Sequence, residues 1–271
     1  MGGVGSIANG SGISVSGPDH ADAIVMLHMN GVNRHMWEIV VPFLDDNFRC
    51  VTVDLPGFGE LADEEFTVDS ATDRVGTVTD VLGAGSVALV GLSLGGYVAQ
   101  AFAAQNPERV TGLLICGATN PLTRWRGAAF RVFGAVLTVL LPVVGQRATK
   151  RYADSLRKNL DPGLAEAIIG GGLSPRAGAQ VFRRLPGRDY ARTLAAYPGP
   201  IVVVNGEDDT SNRKSQGRFL ELIPGAEMMQ VAGAGHAVPL DRPEAFARAV
   251  RRLMDLTRNG SPHRLGWSLE D

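Results

Sequence analysis

The side chains in this 271-residue sequence best suited to chemistry are a serine between glycines, a late histidine and a cluster of carboxylates. Ser93 stands in Gly91-Leu92-Ser93-Leu94-Gly95-Gly96, directly after the apolar run Val87-Ala88-Leu89-Val90. A hydroxyl becomes a useful nucleophile when a base takes its proton, and the base needs a third group to orient it. Both follow in the chain order serine, acid, histidine. Glu207, Asp208 and Asp209 come after the apolar run 201–204, and His236 ends Val231-Ala232-Gly233-Ala234-Gly235-His236. Of the five histidines, only His236 follows a strand this late. The acidic cluster can supply the orienting carboxylate or be a solvated turn, and at least one of its three carboxylates is the latter. Leu94 opens a helix, so its backbone N–H points at charge developing beside Ser93.

These residues need elements to hold them. The runs 24–27, 50–53, 87–90, 113–116 and 201–204 are continuously apolar, as in strands covered on both faces of a parallel sheet. Asn9-Gly10-Ser11-Gly12 separates short segments at Ile7 and 13–15, which predicts an edge hairpin. Helical periodicity over 69–82, 97–106 and 243–256 alternates with the strands, the last helix starting at Pro243. The alternation predicts α/β architecture: a mostly parallel, twisted sheet of about eight strands with helices on both faces. It breaks at 121–195, which reads as a helical insert, so the core is 1–120 and 196–256 and the tail 257–271 is expected to be flexible.

Composition excludes several function classes. The hydrophobic share of 45% and charged share of 20% are those of a soluble globular domain, and a net charge of -2 supplies no basic surface for nucleic acid. The charge is uneven: 121–195 holds 13 Arg and Lys against 4 Asp and Glu, a local +9, which leaves -11 elsewhere. Cys50 and Cys116 lie in strand-like runs and read as free thiols of a reducing compartment, so a cytoplasmic location is expected. The longest apolar stretch, 132–145, is 14 residues broken by Pro142, short of the about 20 a bilayer needs, so stable membrane insertion is not expected. No paired histidine or cysteine motif suggests a metal.

From 23 to 254 the chain resembles the α/β-hydrolase superfamily, in the branch of capped esterases, lactonases and C–C hydrolases that includes enol-lactonases. The resemblance rests on Leu27-His28-Met29-Asn30-Gly31, Asp54-Leu55-Pro56-Gly57-Phe58-Gly59, 91–96, 206–209 and Gly233-Ala234-Gly235-His236 with Asp241-Arg242-Pro243-Glu244. It implies the α/β-hydrolase fold with a helical cap, and Ser93, Asp209 and His236 as catalytic residues, with Asp208 the fallback acid. It also implies an oxyanion hole from Asn30 and Leu94, with Met29 standing where relatives carry glycine and His28 a structural loop residue. No cofactor is implied.

The implied activity is hydrolysis of a small or medium carboxylic ester or lactone. Non-hydrolytic chemistry such as a lyase reaction is the alternative, and a non-catalytic binding protein is disfavoured by the complete residue set. The insert offers apolar residues over 132–144 and cations at Arg124, Arg126, Arg131, Arg147, Lys150 and Arg151, which read either as pocket lining for an acyl group and an anion or as the insert's own core and a solvated charged face. Met29, Arg124 and Arg126 are the candidate substrate contacts. The expected form is a monomer or homodimer.

Overall fold

In a computed structural model, which describes residues 12–259, the strands are β1 (Ile13–Ser16), β2 (Ala23–Leu27), β3 (Arg49–Val53), β4 (Val87–Leu92), β5 (Val110–Cys116), β6 (Ile201–Gly206) and β7 (Glu227–Val231). They form one seven-stranded sheet in the order β1-β3-β2-β4-β5-β6-β7. Only β1 is antiparallel, pairing Ile13 with Val53, and every other pairing is parallel. The segment at Ile7 that would complete the expected hairpin, and an eighth strand with it, lies outside the described residues.

The middle of each inner strand is largely apolar on both faces because the sheet is covered twice. Val25, Leu27, Val51, Val53, Leu89, Leu113, Ile115, Ile201 and Val203 join one buried cluster. Their alternating neighbours Ile24, Met26, Cys50, Ala88, Val90, Leu114, Cys116, Val202 and Val204 join another. Side chains alternate across a strand, so the two clusters are its two faces. Helices α1 (Val68–Val81) and α2 (Leu94–Gln105) cover the first face, and α9 (Pro243–Asn259), which follows the short α8 (Val238–Asp241), covers the second.

Local signals explain these helices. Thr67 and Ser70 form a reciprocal capping box at the start of α1. Pro243 sits where a missing N–H is harmless, and Phe246, Ala247, Val250, Leu253 and Met254 make the buried stripe of α9. This helix continues to Asn259, so residues 257–259 of the expected tail are helical.

Between β5 and β6 come α3 (Arg124–Asn159), α4 (Pro162–Gly170), α5 (Pro175–Arg184) and α6 (Tyr190–Leu194). The side chain of Asn33 ties α4 to the core by donating to Ile168 O at 2.8 Å and Gly172 O at 3.0 Å. Gln180 accepts from Phe66 N at 2.9 Å, while Arg184 pairs with Glu65 and Arg188 with Asp69. Two insert cations, Arg184 and Arg188, therefore bind the core rather than a ligand.

One expectation needs correction. The stretch 132–145 is not broken at Pro142 but lies inside α3, a continuous 36-residue helix. Proline removes the N–H that would meet Thr138 O, yet both residues are exposed, so solvent is there for the freed carbonyl. By length and composition alone, Trp125–Asn159 is apolar enough to cross a membrane.

Candidate active site

Strand β4 delivers Ser93 to the start of α2 at φ 53° and ψ -109°. Among the described residues it is the only non-glycine at positive φ, a strain of about 1–3 kcal/mol that its surroundings must hold. They hold it from both sides. Ser93 N donates to Cys116 O at 2.8 Å, and Ser93 O accepts from Tyr97 N at 3.1 Å. The glycines allow the sharp turn: a Cβ on Gly91 would lie 2.3 Å from Gly95 O, and one on Gly95 would lie 2.1 Å from Leu27 O.

Of the three carboxylates, Asp209 is the one that meets His236. Asp209 caps α7 (Thr210–Leu222), accepting from Asn212 N at 3.2 Å, while its Oδ2 accepts from Asn212 Nδ2 at 2.8 Å and pairs with His236 Nδ1 at 2.7 Å. Burial alone would push its carboxyl upward. The hydrogen bonds from His236 and Asn212 outweigh that and hold it below the usual carboxylate value. With Nδ1–H given to an ionised Asp209, the other ring nitrogen of His236 is left as an acceptor. Glu207 Oε2 instead accepts from Gly233 N at 3.3 Å and supports the loop that carries His236.

Asn212 is a site residue that the sequence analysis passed over. Its side-chain oxygen accepts from Thr119 N at 3.0 Å and Asn120 Nδ2 at 3.1 Å, joining Asp209 to the loop after β5. Its sequence signal was slight: a carboxamide three residues after an Asp at a strand end, where a helix opens. Gly117 was also missed. It has φ 58°, and a Cβ there would lie 2.9 Å from His236 Cε1, so bare backbone makes the seat of the imidazole.

The loop after β2 approaches the same place. His28 is fully buried, with Nδ1 2.8 Å from Met29 O and Nε2 3.0 Å from Leu55 N. Leu55 N can only donate, so Nδ1 carries the proton and the ring is neutral. Burial lowers the His28 pKa, against the raising effects of Asp54 and its bond to Met29. The Met29 carbonyl points at His28, so the trans peptide aims Asn30 N–H the opposite way. Gly95 N donates to His28 O at 3.1 Å, which locks this loop to the start of α2. Met29 is not at positive φ and packs against the core, so a side chain at this position leaves the loop unstrained.

Ser93, Asp209 and His236 share a cavity of about 460 Å³ with Asn30 and Leu94. Helix α3 contributes Trp125, Arg126, Ala129 and Phe130, and α5 and its end contribute Val181, Phe182 and Leu185. Of the expected substrate contacts, Arg126 lines the cavity, held by a 3.1 Å bond from Nη1 to Asn120 Oδ1, whereas Met29 does not. Arg124 is the first residue of α3, and its side chain is outside the described residues. Among the described residues, no three His, Cys, Asp or Glu side chains are grouped to hold a metal ion. Both cysteines are free and buried, with the Cys50 thiol pushed up to about 12 by burial and Asp45.

The profile of the "Alpha/beta hydrolase family" matches residues 24–249. A pimeloyl-[acyl-carrier protein] methyl ester esterase of Neisseria meningitidis is 28% identical over 88% of this chain and 95% of its own length. The 3-oxoadipate enol-lactonase 1 of Acinetobacter baylyi is 23% identical over 86% of this chain and 89% of its own. Among solved structures, a thermophilic esterase from Thermogutta terrifontis superposes with a TM-score of 0.74 at 24% identity, covering 90% of this chain and 93% of that one. The enol-lactonase from Burkholderia xenovorans LB400 superposes with a TM-score of 0.75 at 20% identity, covering 90% and 95%. With its strand order, its serine turn and a profile match across most of its length, this chain belongs to the alpha/beta hydrolase family.

Proposed function

We propose that the protein hydrolyses a small or medium carboxylic ester or lactone, with Ser93 as nucleophile, His236 as base and Asp209 as the group that orients it. The observation that carries this reading is the 2.7 Å bond from His236 Nδ1 to Asp209 Oδ2, in the cavity that also holds strained Ser93. A solvated carboxylate and a loop histidine have no need of this arrangement.

In the proposed reaction His236 Nε2 takes the Ser93 proton as Oγ adds to the substrate carbonyl. Leu94 N–H, with no acceptor inside its helix, and Asn30 N–H receive the negative oxygen. The imidazolium returns its proton to the departing alkoxide, leaving an acyl-serine. Water, deprotonated by His236, then adds to the acyl carbon, and the collapsing intermediate releases the carboxylic acid as Ser93 recovers its proton. In a lactone the alkoxide stays on the acyl group and leaves with it. Asp209 stays ionised and stabilises the imidazolium throughout.

The helical insert is proposed as the cap that shapes the substrate. Its aromatic and aliphatic contribution suits an apolar acyl group, and Arg126 suits a carboxylate at the far end. The esterase and enol-lactonase relatives support ester and lactone substrates. The test is labelling with a fluorophosphonate together with turnover of p-nitrophenyl esters and simple lactones. Labelling and turnover are expected, both lost in Ser93→Ala. Labelling without turnover of any ester or lactone would move the protein to non-hydrolytic chemistry, and no labelling would remove Ser93 as nucleophile.

A further inference from the structure

Ten large hydrophobic side chains are exposed among the described residues, and nine of them lie on α3. One stripe runs Trp125, Val132, Val136, Val139 and Val143, at helical spacing. Trp125 and Val139 are each 75% exposed and Val143 is 80% exposed, so this stripe is not the insert's own core. The inner side of α3 is accounted for. Gly134 lies so close to α5 that a Cβ would come within 2.7 Å of Arg183 Cγ and 2.8 Å of Ala179 O.

The stripe continues at the same spacing into Arg147 and Lys150, with Arg151 beside them, all exposed. No carboxylate of the described residues pairs with these three cations. The single acidic residue of α3, Asp154, lies one turn further on and pairs with Arg157 at 3.5 Å. At the other end of the helix Arg126 and Arg131 are turned inward, bonding to Asn120 Oδ1 at 3.1 Å and Pro186 O at 2.9 Å, so the outward cations gather at one end. The whole insert carries +9 against -11 in the rest of the chain.

This charge pattern selects the occupant. A second copy packed α3 on α3 would set one +9 insert against another, and a parallel pair would also set each basic end against itself. An anionic surface neutralises the basic end and opposes no like charge. We propose that the outward face of α3 is a docking surface for an anionic lipid bilayer, with the stripe from Trp125 to Val143 in the headgroup–acyl boundary and Arg147, Lys150 and Arg151 on the phosphates. The helix lies along the surface rather than across it, because its inner side stays packed on α5. Trp125, Ala129 and Phe130 belong both to α3 and to the cavity wall, so docking sets the cavity beside the lipid.

The test is cosedimentation of the purified full chain with vesicles of phosphatidylglycerol and phosphatidylcholine, or of phosphatidylcholine alone. Binding to the anionic vesicles is expected, with little to the neutral ones and a marked loss at about 0.5 M salt. Val139→Asp with Val143→Asp should weaken it by more than about tenfold. Removing Arg147 and Arg151 as alanines should weaken it about fivefold per charge. Circular dichroism of each variant serves as the control for folding and is independent of catalysis. Three outcomes would overturn the proposal. They are no sedimentation with anionic vesicles, equal binding by the well-folded variants, and retention through a high-salt and alkaline wash, which would mean a spanning helix. A dimer in light scattering that Val139→Asp and Val143→Asp dissolve, without vesicle binding, would assign the face to a second copy.

Discussion

Asn212 Nδ2 donates to Asp209 Oδ2 over 2.8 Å, and that same oxygen receives His236 Nδ1 at 2.7 Å. The carboxamide thus fixes the carboxylate that fixes the imidazole, while its own oxygen is anchored on Thr119 N. Asn212→Ala removes a hydrogen bond to a charged group, worth about 1.5–3 kcal/mol, and should lower kcat by roughly tenfold to a hundredfold. KM should change little, because Asn212 acts through Asp209. Steady-state kinetics on a p-nitrophenyl ester checks this, and an unaltered kcat would show that Asp209 keeps its place without it.

Gly117 makes a second, independent hold on the imidazole. At φ 58° a side chain is strained by about 1–2 kcal/mol, and here its Cβ would also press on His236 Cε1 at 2.9 Å. Gly117→Ala should therefore lose both stability and rate: a Tm lower by about 3–8 °C and a kcat lower by at least about tenfold. Calorimetry and single-turnover kinetics measure the two separately.

These two residues show where sequence reasoning stops. The central strands were legible because a doubly covered sheet makes apolar runs, and Ser93 because a glycine-flanked serine between a strand and a helix has few other uses. Asn212 was not legible, because its role depends on Thr119, 93 positions away, and such pairings leave no local pattern. The length of α3 was hidden for a different reason. Pro142 is a stop signal in a buried helix, but here it faces solvent, where a broken backbone hydrogen bond costs less. Met29, an expected substrate contact, packs against the core cluster instead of lining the cavity, a direction that chain position alone does not reveal.

Arg126 is the cation of the cavity wall, oriented by Asn120 Oδ1 at 3.1 Å. If the ester carries a distal carboxylate, Arg126→Gln should raise KM about fivefold, the effect of losing about 1 kcal/mol from a partly solvated ion pair. Neutral esters of the same length should be unaffected, and added salt should shrink the difference for wild type. A panel of dicarboxylate monoesters against neutral esters makes the comparison, and equal KM changes for both would remove the anionic-substrate expectation.

His28 should give folding stability a pH dependence above the carboxylate range. The ring is buried and neutral, and burial lowers its pKa from 6.5. In the unfolded chain it takes a proton as pH falls through about 6.5, while in the folded chain it resists until a lower pH. The stabilisation is therefore full above about pH 6.5 and is lost as pH drops toward the folded value, by up to about 1.4 kcal/mol per pH unit. Protonation in the fold would also cost Nε2 its bond from Leu55 N and leave that donor unpaired. His28→Gln keeps an oxygen to face Leu55 but cannot titrate. Urea unfolding from about pH 7.5 to 5.5 should show a steep loss for wild type and a flatter profile for the variant, from a lower starting stability. Parallel profiles would mean that His28 contributes nothing to the acid sensitivity of the fold.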